Sequence, residues 1–193
     1  MTKNVDVFID SLNRDLAWRQ KEVSDLYLLC QSNSDEILLK SLLLILYSHW
    51  EGYVKNSSKM YLYHVSCLKI KIGDLSDNYM AIAIKGVANE CFKSSHSLTL
   101  QNELNFVEKY KKKRQSKFTI NKKILNDKNK SIVNSQDNLS SKVFVNICRV
   151  IGMPEKTSIK TKYRLIDEYM LNHRNAVGHG NKIEQDNDED VLF

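Results

Sequence analysis

The stretch Asp35-Glu36-Ile37-Leu38-Leu39-Lys40-Ser41-Leu42-Leu43-Leu44-Ile45-Leu46-Tyr47-Ser48-His49-Trp50-Glu51-Gly52-Tyr53-Val54 reads as one uninterrupted helix. No proline interrupts it, and Gly52, its one glycine, costs about 1 kcal/mol inside a helix. Such a cost is tolerable where a second helix comes close. The apolar positions repeat at helical spacing as far as Tyr61, so the helix is expected to span Asp35–Ser66. Its first half is apolar around most of its circumference. That pattern predicts the central, most buried helix of the molecule. Asn33, followed three places later by Glu36, predicts the helix cap.

Upstream, Val5, Ile9, Leu12, Leu16, Val23, Leu26 and Cys30 alternate at four and three places, with Arg19 in one slot. That spacing gives a long helix with a single apolar seam. Downstream, helices are expected over Asn78–Lys93, Leu98–Tyr110, Ser140–Ile151 and Ile159–His173, with the chain leaving the last helix through Asn172–Gly180. Gly152 and Pro154 are stop signals. One Pro and six Gly in 193 residues exclude a many-turned β sandwich. The fold class is therefore all-α: a helical bundle over residues 1–180 with a basic insertion near 111–138. In that insertion Phe118, Ile120, Ile124, Ile132 and Val133 are expected to form a small hairpin about Asn126–Asn129. Residues 181–193 are expected to be a flexible acidic tail.

The net charge is +6, unevenly placed. Lys109–Lys130 holds ten Lys and Arg against the single acid Asp127, leaving the remainder of the chain near −3. A basic block on a mildly acidic body fits a polyanion, nucleic acid first. The blander reading is a solvated lysine-rich loop. Cys30, Cys67, Cys91 and Cys148 lie far apart without a CxxC pair, which excludes a zinc ribbon or dithiol redox site. Cys30 and Cys148 read as buried thiols. Leu42–Tyr47, the longest apolar run, is too short to span a bilayer, and Met1–Asp10 has no leader pattern, so a reduced cytoplasm is expected. No cofactor and no metal are called for.

The chemistry is expected in Arg174-Asn175-Ala176-Val177-Gly178-His179-Gly180. Arg and His at loose spacing recur by chance in about half of chains of this composition. Asn directly after the Arg and Gly directly after the His reduce that to under about one in a hundred. Gly178 and Gly180 would let the backbone leave the helix and bring the imidazole back toward Arg174. A permanent planar cation beside a group titrating near neutrality suits phosphodiester chemistry. One histidine cannot serve as base and acid at the same moment, so a two-fold dimer would supply the second. In the blander readings His179 caps a helix and Arg174 pairs with Asp167 or Glu51.

These residues resemble the HEPN superfamily, whose R-x4-6-H motif matches Arg174–His179 in its RNxxxH form. Leu46–Val54 is similar to the second-helix signature of a prokaryotic conflict-system branch, and Asn138–Phe144 with Ile151-Gly152 looks like the helix before the motif. The resemblance spans most of Asn33–Gly180 apart from the basic insertion. It implies a dimeric, metal-independent endoribonuclease that leaves 2′,3′-cyclic phosphates and acts as a toxin or anti-phage effector. Arg174 and His179 would be catalytic, with Asn175 orienting them. Glu51, His49 and His173 are candidates for the surroundings of the pair. Lys111, Lys112, Lys113, Arg114 and Lys117 would hold RNA. An antitoxin or defence-complex subunit is a further candidate partner; no membrane is. No Tyr lies two places beyond His179, so the branch silenced by nucleotidylation of such a tyrosine is not matched. The alternative is a non-catalytic HEPN-like module that binds RNA or protein.

Overall fold

The computed structural model describes residues 4–33, 35–93, 99–126, 128–136, 138–154 and 157–180. The expected acidic tail lies outside them. Among the described residues the regular elements are helices: α1 (Val5–Ser32), α2 (Glu36–Leu68), α3 (Asp77–Lys93), α4 (Gln101–Gln115), α5 (Ser141–Ile151), a short α6 (Thr157–Lys160), and a π-helix (Leu165–Asn172) that continues into α7 (His173–Gly178). No helix among the described residues is long and apolar enough to cross a membrane.

The helix ends follow from local chemistry. Asp35, not Asn33, caps α2, its Oδ1 accepting the Ile37 N–H at 2.7 Å. Asn33 closes α1 instead, its N–H donating to the Leu29 carbonyl. Ser140 caps α5, and Gly152 ends it in the left-handed region at φ 77°. A Cβ on Gly152 would also strike the Asn78 amide, so glycine is required twice over.

α1 packs along α2. Its seam is half-buried from Leu12 to Leu26 and ends in buried Cys30, while Val5 and Ile9 are exposed. Arg19 occupies its slot in the seam against Gly52, where a Cβ would lie 2.6 Å from Nη1. It also donates to the His49 carbonyl and pairs with Asp15. Gly52 is thus the expected point of close helix approach. None of the four cysteines is in a disulfide; Cys148 is half-buried rather than buried.

Two expectations are corrected. Lys111–Gln115 is not loop but the last turns of α4, where lysines and arginine complement the helix dipole. No hairpin forms among the described residues. The single antiparallel bridge joins Lys71 to Lys117, and Lys122–Leu125 is a 3-10 turn. α2 is the most buried helix, as expected, with nine buried residues, but its burial does not follow its hydrophobicity. Ile37 is 72% exposed and Leu39 53%, whereas Ser58, Lys59, His64 and Ser66 are buried.

The cause is the path of the insertion. It runs antiparallel along α2 as a strap. The Phe118 N–H donates to the Ile70 carbonyl, Ile120 N–H to Ser66 Oγ, Lys59 Nζ to the Asn126 carbonyl, and Leu139 N–H to Tyr47 Oη. Advancing from 118 to 139 therefore retraces α2 from 70 to 47. Phe118, Ile124, Val133 and Leu139 point into the core with Leu62 and Val65. The strap covers Lys59 and Ser66 and supplies them with a carbonyl and an amide partner, while His64 is stacked on Phe8 of α1.

Candidate active site

The strap ends where the motif begins. Asn138 and Leu139 reach the middle of α2 just before Ser140 starts α5. Asp167 of the π-helix fastens the start of α5, accepting from the Ser141 N–H at 2.7 Å and from its hydroxyl. A carboxylate at a helix N-terminus is favoured by the dipole. The π-helix replaces the expected α geometry over Leu165–Asn172, and this wider turn rephases the residues that follow.

α7 then presents Arg174 to α2. Its Nη1 donates to Asn175 Oδ1 at 2.8 Å and to Asn138 Oδ1 at 3.1 Å, and its guanidinium lies over the Tyr47 ring, 5.1 Å from the centroid. Two amide oxygens and an aromatic face hold the cation without neutralising it. The two acids named as its bland partners are engaged elsewhere: Asp167 with Ser141, and Glu51 with Lys55 Nζ at 3.0 Å. Tyr47 is 1% exposed. Burial, above all, pushes its hydroxyl pKa up; the Leu139 N–H acts downward, the Glu51 carboxylate upward and Arg174 downward.

His179 stands differently. The helix continues through Gly178 rather than leaving at Asn172, and His179 closes it, its N–H donating to the Asn175 carbonyl at 2.9 Å. Gly180 turns the chain at φ 75°. Five places along an α-helix is about 140° of rotation. Arg174 is accordingly half-buried against α2 while His179 is exposed. Among the described residues nothing lies within 4 Å of a Cβ built on Gly178.

The other expected residues divide. Glu51 sits one turn from Tyr47 and bears on it. His49 belongs to the α1 contact, with Nε2 2.8 Å from Glu22 and its ring edge-on to Trp18. His173 is stacked on Tyr169, its Nδ1 2.9 Å from the Tyr169 carbonyl. Lys111, Lys112, Lys113, Arg114 and Lys117 are all exposed, at the far end of α2 from Arg174. No three His, Cys, Asp or Glu among the described residues gather as a metal-ligand set. Sequence reading missed Asn138 and Tyr47 as partners of Arg174; Asn138 directly before a capped helix was the available signal.

The family model of the MAE_28990-like HEPN domain matches residues 8–192. The chain belongs to the HEPN superfamily. No curated protein and no solved structure matches it. The HEPN match runs from α1 to beyond the motif helix.

Proposed function

We propose that this HEPN chain is a metal-independent endoribonuclease, acting in the cytoplasm as a toxin or anti-phage effector, with an active site completed by a second copy. The observation that carries the reading is the state of Arg174. Its guanidinium is fixed by Asn138, Asn175 and Tyr47 and is left with its charge available, on the same helix end as solvent-facing His179. A preorganised cation of this kind stabilises charge gathering on a phosphorane.

In the proposed step the RNA 2′-oxygen attacks the adjacent phosphorus. One imidazole takes the 2′-hydroxyl proton, the bond to the 5′-oxygen breaks, and the partner subunit's His179 protonates the leaving oxygen. The products are a 2′,3′-cyclic phosphate and a 5′-hydroxyl. Asn175 and Asn138 position Arg174 and move no proton. Support for the second copy comes from chemistry and surface. One exposed imidazole cannot be base and acid together. The exposed apolar residues Leu39 and Leu46 also lie two turns apart on one face of α2, which ends beside the Tyr47–Arg174 contact.

The test is cleavage of labelled RNA by purified protein. His179→Ala and Arg174→Ala should each lower the rate by at least about 100-fold while far-UV circular dichroism is unchanged. Asn175→Ala should lose less, roughly tenfold, by loosening Arg174. Activity should survive chelation by EDTA, and the products should carry cyclic phosphate ends. Undiminished cleavage by either of the first two variants would overturn the assignment. RNA binding without cleavage by the wild type would favour the non-catalytic module.

A further inference from the structure

The strap presents two opposite faces. Phe118, Ile124, Val133 and Leu139 are buried against the core, while Lys117, Lys122, Lys123 and Lys128 are exposed. The strap sequence holds two acids, Asp127 and Asp137, against these lysines and Lys130. The strap meets α2 at Ile70 through Phe118 and at Lys59 through Asn126, so these four lysines are strung along the last third of α2, from the basic end of α4 toward Arg174. From Leu68 back to Tyr47 that path is roughly 30 Å. A stacked strand advances about 3.4 Å per nucleotide, so the path matches about nine nucleotides.

A cleft opens beside this row. It has a volume of about 430 Å³ between strap and α3, with Ile82, Ile120 and Ile132 as apolar walls and Lys113, Lys117 and Asn121 among its polar lining. That is the size and character of a pocket for one planar polar ring. A single strand can splay a base into such a pocket, whereas a base in a duplex stays in its stack.

We infer that the strap is a track for the single-stranded arm of an RNA. Its phosphates run along Lys117, Lys122, Lys123 and Lys128, one base enters the strap–α3 cleft, and the strand is delivered to Arg174. The inference rests on RNA being the substrate. It adds that the substrate must extend about nine nucleotides to one side of the cleaved bond, and that very short RNAs are poor ligands.

The experiment is binding by the full-length His179→Ala chain, read as fluorescence anisotropy with labelled RNAs of about 4, 8, 12 and 20 nucleotides. Affinity should rise at least tenfold from the shortest to the 12-mer and then level off, and a 12-bp duplex should compete weakly. Lys122→Glu with Lys123→Glu should weaken the 12-mer by tenfold or more and flatten its log–log salt slope by about 1.4, the loss of two phosphate contacts. Lys21→Glu, on exposed α1, should have under a twofold effect. Length-independent affinity, preference for duplex, or equal losses for Lys21 and Lys122/Lys123 would overturn the track. If the wild type cleaves no RNA but length and charge dependence hold, the catalytic reading fails and the track stands. If the wild type cleaves RNA but affinity ignores length, the track fails and the catalytic reading stands.

Discussion

From Glu36 to Leu46, α2 is almost unbroken aliphatic sequence, yet Ile37, Leu39 and Leu46 face solvent. From Ser58 to Ser66 it carries serines, a lysine and a histidine, and most of them are buried. The two halves belong to one helix and differ in what the chain lays beside them. The second half has the strap, with Phe118, Ile124 and Val133 closing over it and Asn126 receiving Lys59. The first half packs against α1 along one side and keeps an apolar side uncovered. Burial thus tracks tertiary cover rather than a helix's own hydrophobicity. An uncovered apolar surface beside Arg174 is also where a second copy would complete the proposed site.

Substitutions test the contrast directly. Phe118→Ala removes the strap's largest anchor, at 1% exposure, and should destabilise the protein by about 3–5 kcal/mol in urea unfolding. A loss under about 1 kcal/mol would mean that the strap does not cover α2 as described. Tyr47→Phe keeps the ring under Arg174 but removes the oxygen that accepts the buried Leu139 N–H. The expected cost is about 1–3 kcal/mol, and an unchanged midpoint would deny that hydrogen bond its role. Leu39→Ser, on the uncovered face, should shift unfolding of the monomer by no more than about 0.5 kcal/mol. It should nonetheless weaken self-association in sedimentation; a large monomer effect would show that the first half is covered after all.

A pH experiment probes the buried side of the same contrast. Burial raises the Tyr47 hydroxyl pKa, and burial with the neighbouring Tyr61 raises that of Tyr79. In the unfolded chain these two hydroxyls ionise near pH 10, and in the folded chain only above that. The stabilisation is therefore complete below about pH 10 and is lost as pH climbs toward the folded values. The urea midpoint should fall on passing about pH 10, and less so in Tyr47→Phe. A flat midpoint to pH 11 would contradict the burial.

Much of this architecture was readable in the residues. The seam of α1 from Leu12 to Cys30, the run of α2 and the stop at Gly152 follow from spacing and backbone freedom, and each lies where expected. Gly52 was legible as a helix approach because a glycine inside an apolar helix needs a reason, and Arg19 is that reason. The strap was not legible. Its apolar residues at 118, 120, 124, 132 and 133 keep neither helical nor strand period, because they follow the surface of α2 rather than a ladder of their own. The π-helix escaped for a related reason: a reading at 3.6 residues per turn cannot register a wider turn. Of the site, the motif was visible locally. Its dependence on Asn138 and Tyr47 was not, since those contacts bridge 36 residues and the length of a strap.

Whether two chains share one cleavage site is measured most directly by subunit mixing. Wild-type protein is titrated with His179→Ala under conditions where labelled subunits are shown to exchange, and RNA cleavage is followed. If each site needs an imidazole from both copies, activity falls with the square of the wild-type fraction, to about one quarter at equal mixing. A linear fall to about one half would mean that each chain cleaves alone and would contradict the shared site.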